Sequence, residues 1–334
     1  MSEFARELTD LIRNLAEDAG DKVDADIGPM WSQVCELGLA GIGMPEEKGG
    51  SGGTLADLLV VVRELAHAGV STPIVEASTA AYAVDAAPEA DTFDTIAVTD
   101  LDACSEAITA DVARVPFAGR ARALVLVTAS GVVTVPLAGG SVTVEADRDI
   151  AGLPSGRVKL DGASVARIPA GPTSPQVADR LALARSAALL GNASGAYDLT
   201  RKYVTERVQF GAPLIKIPAV STTLAQMAVR IKFAQSALDR ATTACANDRT
   251  PELRRFGAVS AARIATATTA TLVARASHQL HGAVGITAEY GLHRYTSKLW
   301  ALRDADESEF AYSRRLGARV RAEGETELWE SISA

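Results

Sequence analysis

The chain has 334 residues, 48% of them hydrophobic and 22% charged, a globular composition with room for two or three structural regions. Its net charge of −8 leaves no basic footprint for nucleic acid. No run approaches the roughly 18 uninterrupted apolar residues of a membrane span, and the start, Met1 to Glu7, carries acids early rather than the basic and apolar regions of a signal peptide.

The first quarter reads helical. Phe4, Leu8, Leu11 and Leu15 recur at the spacing of one helix face, and Trp31, Val34 and Leu37 mark a second helix. A glycine-rich break over Gly41–Gly53 follows. Thr54 then offers an N-cap, with Asp57 at the third position, to a helix over 55–68 carrying Leu58, Leu59, Val62 and Leu65. Ser71-Thr72-Pro73 ends it, and an alanine-rich helix runs to about Ala87. Near residue 95 the period changes. Short runs rich in β-branched residues at 95–98, 123–127, 131–135, 141–145 and 156–162 predict a small antiparallel β-domain, with hairpin-like breaks at 129–131 and 137–140. From about Val177 the helical period returns, predicting four helices at roughly 177–206, 216–246, 252–281 and 292–322. Val220, Leu224, Met227 and Ile231 form one seam, and Gly191 with Gly195 opens a groove of small residues where another helix can approach.

The expected fold is therefore α+β and mainly α: an N-terminal helical domain (1–94), a middle β-domain (95–172) and a C-terminal four-helix bundle (173–334). Three scattered cysteines (Cys35, Cys104, Cys245) make neither a disulfide framework nor a CxxC site, which points to a reduced, cytoplasmic protein.

Two polar, glycine-bearing segments sit at helix ends. In the first, Tyr203 to Leu214 with Arg207-Val208-Gln209-Phe210-Gly211 at its centre, an arginine before a turn glycine can grip a phosphate through its forked guanidinium, although such arginines are commonly just solvated. In the second, His278 to Tyr290 with Gln279-Leu280-His281-Gly282-Ala283-Val284-Gly285-Ile286-Thr287 within it, two glycines leave the backbone open to a phosphate or a ring edge, or simply cap a helix. His278 and His281 share a helix face, but the further ligands of a zinc site are missing, so no metal is expected.

Taken in order, these segments resemble the acyl-CoA dehydrogenase family. The first resembles its R-x-x-F-G turn, Leu224-Ala225-Gln226-Met227 its following L-A-D/E-M helix, and the second its Q-x-x-G-G-x-G-F/Y-T loop. Upstream, Met44-Pro45-Glu46-Glu47-Lys48-Gly49-Gly50-Ser51-Gly52-Gly53 resembles its P-E-x-x-G-G-x-G segment. The resemblance implies FAD-dependent α,β-desaturation of an acyl-CoA thioester, with an electron-transfer flavoprotein or similar acceptor. It implies that Arg207, Gln209, Phe210 and Gly211 meet the pyrophosphate and adenosine side of an FAD held mainly by the adjacent subunit, and that Gln279, His281, Gly282 and Gly285 line its adenine end.

The departures from the family pattern are specific. Where members carry T-E-P-x-x-G-S-D against the flavin ring, this chain reads Val98-Thr99-Asp100-Leu101-Asp102-Ala103-Cys104-Ser105. The β-domain has no tryptophan for the W-x-T/S strand, and Ile217-Pro218 replaces the F-Q pair. One family base position falls near Leu181, which cannot accept a proton. The other falls on Glu307 in one register and on Tyr312 in another, while the acids from Asp304 to Glu309 also suit a helix start, with Asp304 or Asp306 as cap. Intact neighbour-facing segments beside an eroded ring site resemble short actinobacterial-type members that pair with a homologous subunit in an α2β2 heterotetramer and act on bulky, steroid-derived CoA thioesters. The expected role is the subunit that completes the partner's FAD site. The alternatives are a self-sufficient homo-oligomer with Glu307 as catalytic base and a non-enzymatic homologue that has lost FAD.

Overall fold

In the computed structural model, which describes residues 3–19, 27–88, 92–101, 106–168, 171–247, 249–305, 307–326 and 329, four helices open the chain. They are α1 (Glu3–Ala19), α2 (Ile27–Glu36), α3 (Leu55–His67) and α4 (Ile74–Val84). On α1 the buried positions are Leu8 and Ile12, with Leu11 exposed, so the stripe is rotated from the expected one; the side chain of Phe4 lies outside the described residues. Leu37 falls beyond α2 and is exposed. The start of α3 is the capping box its sequence announces. The Asp57 amide donates to Thr54 Oγ1 (3.3 Å), and the Thr54 amide donates to Asp57 Oδ2 (2.8 Å). The glycine-rich segment before it folds back on itself. The Gly52 amide donates to Met44 O (2.9 Å), and Gly50 lies so close to the Met44 backbone that no side chain fits there. Arg180 donates to Gly43 O (3.2 Å) and stacks on the Tyr82 ring at 4.4 Å.

Seven strands follow: β1 (Thr95–Val98), β2 (Ala107–Pro116), β3 (Ala123–Thr128), β4 (Gly131–Pro136), β5 (Val142–Arg148), β6 (Pro154–Ser164) and β7 (Ala166–Arg167). They form a four-stranded sheet, β1-β3-β4-β7, and a three-stranded sheet, β2-β6-β5, antiparallel except where β1 runs parallel to β3. Val112, Val115, Leu124, Leu126, Val133, Val135, Val158 and Leu160 fill one apolar core between them. The turn at Ala129–Ser130 closes the expected β3–β4 hairpin. The break at Leu137–Gly140 is no hairpin: it carries the chain from one sheet to the other. Strand β2 was not expected. Its pairing with β6 slips twice, between Ile108 and Ala110 and between Val112 and Val115, and Arg114 takes a left-handed conformation (φ 56°), so its alternation is broken twice.

The rest is helical: α5 (Ser174–Glu206), a tiny hairpin of β8 (Val208–Gln209) and β9 (Ala212–Pro213), α6 (Pro218–Ala246), α7 (Glu252–His281), α8 (His293–Arg303) and α9 (Glu309–Glu323). The seam on α6 packs as its spacing predicts, with Leu224 and Met227 buried among Leu189, Ala193, Ala196, Val273, Ala274, Leu292 and Leu299. By length and composition α7 could cross a bilayer, but 67% of its apolar window is buried inside the fold. The fourth expected helix is two helices. Asp304 ends α8, and Ser308, whose Oγ accepts from the Ala311 amide (3.3 Å), starts α9. The acids at 304–309 thus flank a cap that a serine supplies; Asp306 lies outside the described residues.

By contacts, the chain divides into two units. One holds residues 19–61 and 71–184, and the other holds residues 1–18, 62–70 and 185–334.

Candidate functional site: two helix ends and a buried aromatic cluster

The end of α5 is fixed by its last buried residue, Val204, and by a hydrogen bond from the Arg207 amide to Tyr203 O (2.8 Å). Beyond it, Val208 pairs with Pro213 and Gln209 with Ala212, leaving Phe210 and Gly211 as the two turn residues. Both take positive φ (55° and 81°), the requirement of a type I′ turn. Glycine adopts this freely; a phenylalanine there is strained. Phe210 is nevertheless 91% exposed. Arg207 and Gln209 are exposed too, and the Arg207 guanidinium has no hydrogen-bond or ion-pair partner among the described residues.

The end of α7 is shaped by two glycines for different reasons. Gly282 sits at φ 59°, ψ −140°, a conformation open to glycine alone, and faces open space. Gly285 is buried, and a Cβ there would lie 2.7 Å from the His281 Cβ. Between them runs a short 3-10 turn whose Ile286 is 80% exposed, and Gln279 is exposed on the last turn of α7.

The fold brings these two segments together through three rings. His281 is buried, stacked on Tyr203 at 4.5 Å and edge-on to Tyr290 at 4.9 Å. Its Nδ1–H donates to Ser277 O (2.8 Å), and Nε2 has no partner among the described residues. Burial, the main cause, holds its pKa below the usual histidine value, so the ring is neutral at pH 7. His281 therefore lies beneath the loop while Gly282 and Gln279 lie on its outside. Tyr203 opens the first and Tyr290 closes the second of the segments picked out from the sequence, but no role was read for either. An aromatic gives no periodic or spacing signal of this kind.

The acid at the alternative base position has different surroundings. Glu307 is exposed and paired with Arg315 (2.8 Å) on α9. Tyr312, the other register, is buried, with the Arg315 guanidinium over its ring at 4.7 Å, and burial raises its pKa. Nearby Arg263 is buried on α7, and its Nη2 donates to Leu302 O (2.9 Å) and Arg303 O (3.3 Å), closing the C-terminal end of α8. Burial pushes its pKa down to about 10, so it stays charged at neutral pH. Leu181 is buried on α5. Of the segment 98–105, residues 102–105 lie outside those described; Val98 is half exposed and the Leu101 amide donates to Thr99 Oγ1 (3.3 Å).

A third cluster was not legible in the sequence. His67, the last residue of α3, donates from Nε2 to Asp198 Oδ2 on α5 (2.9 Å), and Glu64 lies 3.9 Å from its Nδ1. His67 and Asp198 line an open pocket of about 600 Å³ together with Arg201, Lys202, Glu206 and Tyr295. No group of three or more metal-ligating side chains occurs among the described residues; His278 bonds Thr296 Oγ1 (3.0 Å) instead.

Over 312 residues, 90% of this chain and 87% of the relative, the sequence is 31% identical to acyl-CoA dehydrogenase IpdE2 of Mycobacterium tuberculosis. The chain belongs to the acyl-CoA dehydrogenase family. Residues 177–303 match the family's acyl-CoA dehydrogenase C-terminal domain, and residues 1–88 its N-terminal domain. Two solved structures share the fold at a TM-score of 0.86. The ChsE4-ChsE5 complex from Mycobacterium tuberculosis is 22% identical, covering 97% of this chain and 99% of that one. The Tcur3481-Tcur3483 steroid ACAD G363A variant is 23% identical, covering 95% and 98%.

Acyl-CoA dehydrogenases are FAD flavoproteins, and the two helix ends fit part of that cofactor. Arg207 offers an unshared cation to a phosphate, Gly211 and Gly282 leave backbone open at the surface, and Phe210 presents an apolar ring to whatever lies opposite.

Proposed function

We propose that this acyl-CoA dehydrogenase chain completes the FAD site of a homologous catalytic subunit, in an α2β2 enzyme that desaturates an acyl-CoA thioester. The observation that carries the reading is a contrast within one unit. Arg207, Gln209, Phe210, Gly211, Gln279 and Gly282 all face outward, whereas Glu307 is a solvated acid shared with Arg315. A base for an α-proton needs a dry, apolar setting that keeps it poised. In this reading Arg207 neutralises pyrophosphate charge, Phe210 and the glycine backbone of 282–285 cover the adenosine side, and His281, itself buried, keeps that loop at its height. FAD supplies the acceptor for the hydride leaving Cβ while a carboxylate on the partner takes the proton from Cα. The bulky, steroid-type substrate is supported by the likeness to the Tcur3481-Tcur3483 steroid ACAD variant, and the two-subunit assembly by the likeness to the ChsE4-ChsE5 complex. The electron acceptor would be an electron-transfer flavoprotein or a similar carrier.

The decisive experiment is to purify the chain alone and with its partner. Alone it should be colourless and inactive; the complex should be yellow and active. Glu307→Gln, made in this chain within the complex, should lower turnover by less than about tenfold, whereas loss of a true general base costs about 10²–10⁴. A yellow, active homo-oligomer that loses about a thousandfold in the Gln variant would make Glu307 the base. A colourless complex would favour a homologue without FAD.

The loop glycines give an independent check. Gly282→Val must leave a conformation only glycine holds easily, while Gly317→Val, inside α9, meets open space. Flavin per complex should fall by more than half in the first variant and stay within about a tenth of wild type in the second. Equal effects would remove the loop backbone from the cofactor site.

A further inference from the structure

The α3 terminus is held by two helices, α5 and α8. The His67 ring bonds Asp198 on α5, the Tyr295 hydroxyl on α8 donates to His67 O (3.2 Å), and buried Lys298 donates to Gly69 O (2.7 Å). Arg63, one turn earlier, donates to Gln235 on α6 (3.1 Å). Contact on α5 is unusually close: a Cβ at Gly195 would lie 2.8 Å from His67 O and would overlap the Tyr295 ring. Both helices lead to the segments assigned above to FAD. From Asp198, α5 runs on through Tyr203 to Arg207. From Tyr295, the chain leads back to Leu292, whose Cδ2 lies 3.2 Å from where a Cβ on Gly285 would sit.

We infer that His67 is a positioning residue for the FAD-facing turn and loop, clasping α5 to the α3 terminus through a charged hydrogen bond to Asp198. The inference rests on the proposed FAD-completing role. Two carboxylates face the ring, Glu64 on α3 and Asp198 on α5; Arg63 pairs with the first and Arg201 with the second, the Tyr295 hydroxyl on α8 binds the His67 carbonyl, and Lys202 and Glu206 on α5 line the same pocket. The hydrogen bond to Asp198 is the main cause that raises the His67 pKa to about 9, and the bond to Glu64 adds to it. A histidine pKa raised on folding contributes fully below its unfolded value, and the contribution is lost as pH rises through the folded one. The clasp is therefore charged at neutral pH and loses its charge, and with it most of its strength, near pH 9.

The test uses the two-subunit complex and FAD itself. Flavin affinity is followed from pH 7 to 10, with far-UV circular dichroism on the same samples. In wild type, affinity should weaken about five- to tenfold with a midpoint near pH 9, a coupling of ordinary size for linked sites. In His67→Gln it should be weaker at pH 7 and change less than about twofold with pH. In Asp198→Asn the midpoint should move down toward the ordinary histidine range, a shift that a purely structural role would not produce. A wild-type affinity flat to pH 10, or a midpoint unmoved in Asp198→Asn, overturns the inference while leaving the FAD reading standing. A wild-type complex without flavin at pH 7 overturns both. If the variants fail to fold, the wild-type profile alone decides.

Discussion

Gly191→Ala should melt the chain roughly 4 °C below wild type, the fall that about 3 kcal/mol produces in a chain of 334 residues. The added methyl would overlap the Arg63 carbonyl oxygen and lie 2.7 Å from the Ala66 Cβ and 2.9 Å from the His67 amide. All are parts of α3 or its flank, and two of them are backbone, which a rotamer change cannot clear. Overpacking into well-packed interiors costs about 1–3 kcal/mol, and a collision of methyl with main chain belongs at the top of that range. Gly317→Ala serves as the opposite case. Nothing lies within 4 Å of its added Cβ, so the substitution should only remove unfolded-chain freedom and raise stability by about 0.5–1 kcal/mol. Thermal unfolding of both variants, followed by circular dichroism, checks the sign and the size together. A Gly191→Ala protein as stable as wild type would mean that α3 can withdraw from α5 without loss.

Arg207→Ala should strip flavin from the assembled complex while leaving the helical content intact. The side chain is exposed, has no hydrogen bond or ion pair among the described residues and follows the last turn of α5, so its removal leaves no cavity. A hydrogen bond to a charged group is worth about 1.5–3 kcal/mol, so FAD binding should weaken roughly 10- to 150-fold. Arg207→Lys should recover only part of that, since an ammonium keeps the charge but not the forked geometry. Gel filtration followed by absorbance at the flavin band reads the outcome. Unchanged flavin stoichiometry in the Ala variant would remove Arg207 from the site.

What could be read ahead of the structure was local. Thr54 and Asp57 are three residues apart, and a capping box needs nothing beyond that span. The α6 seam was legible for the same reason, because its period lies within one helix. Gly191 and Gly195 were legible as a groove, though not which element would enter it. Strand β2 was lost because two bulges and the left-handed Arg114 break the alternation on which strand reading depends. The single helix expected over 292–322 was wrong because Ser308 is an N-cap in the middle of a polar run that a continuing helix could equally carry. Within the candidate site, Arg207 and the loop glycines stand out by type and spacing. The His67–Asp198 contact joins residues 131 positions apart and leaves no trace in any window of the sequence. That His281 lies under its loop also needed the rings of Tyr203 and Tyr290 in place.

The bulged β2 also governs how the β-domain behaves in a crowded solution. It is an outer strand of its sheet, and so is β5 on the other side. A flat outer strand offers free amides and carbonyls in register and recruits foreign chains into growing aggregates. Here the twist at Arg114 and the charged Asp111 spoil the register on one border, and Glu145, Asp147 and Arg148 place charge along the other. In the second sheet the borders are the four-residue β1 and the two-residue β7, too short to template much. The irregularity that hid β2 from sequence reading is thus a guard against self-association along the border of this sheet.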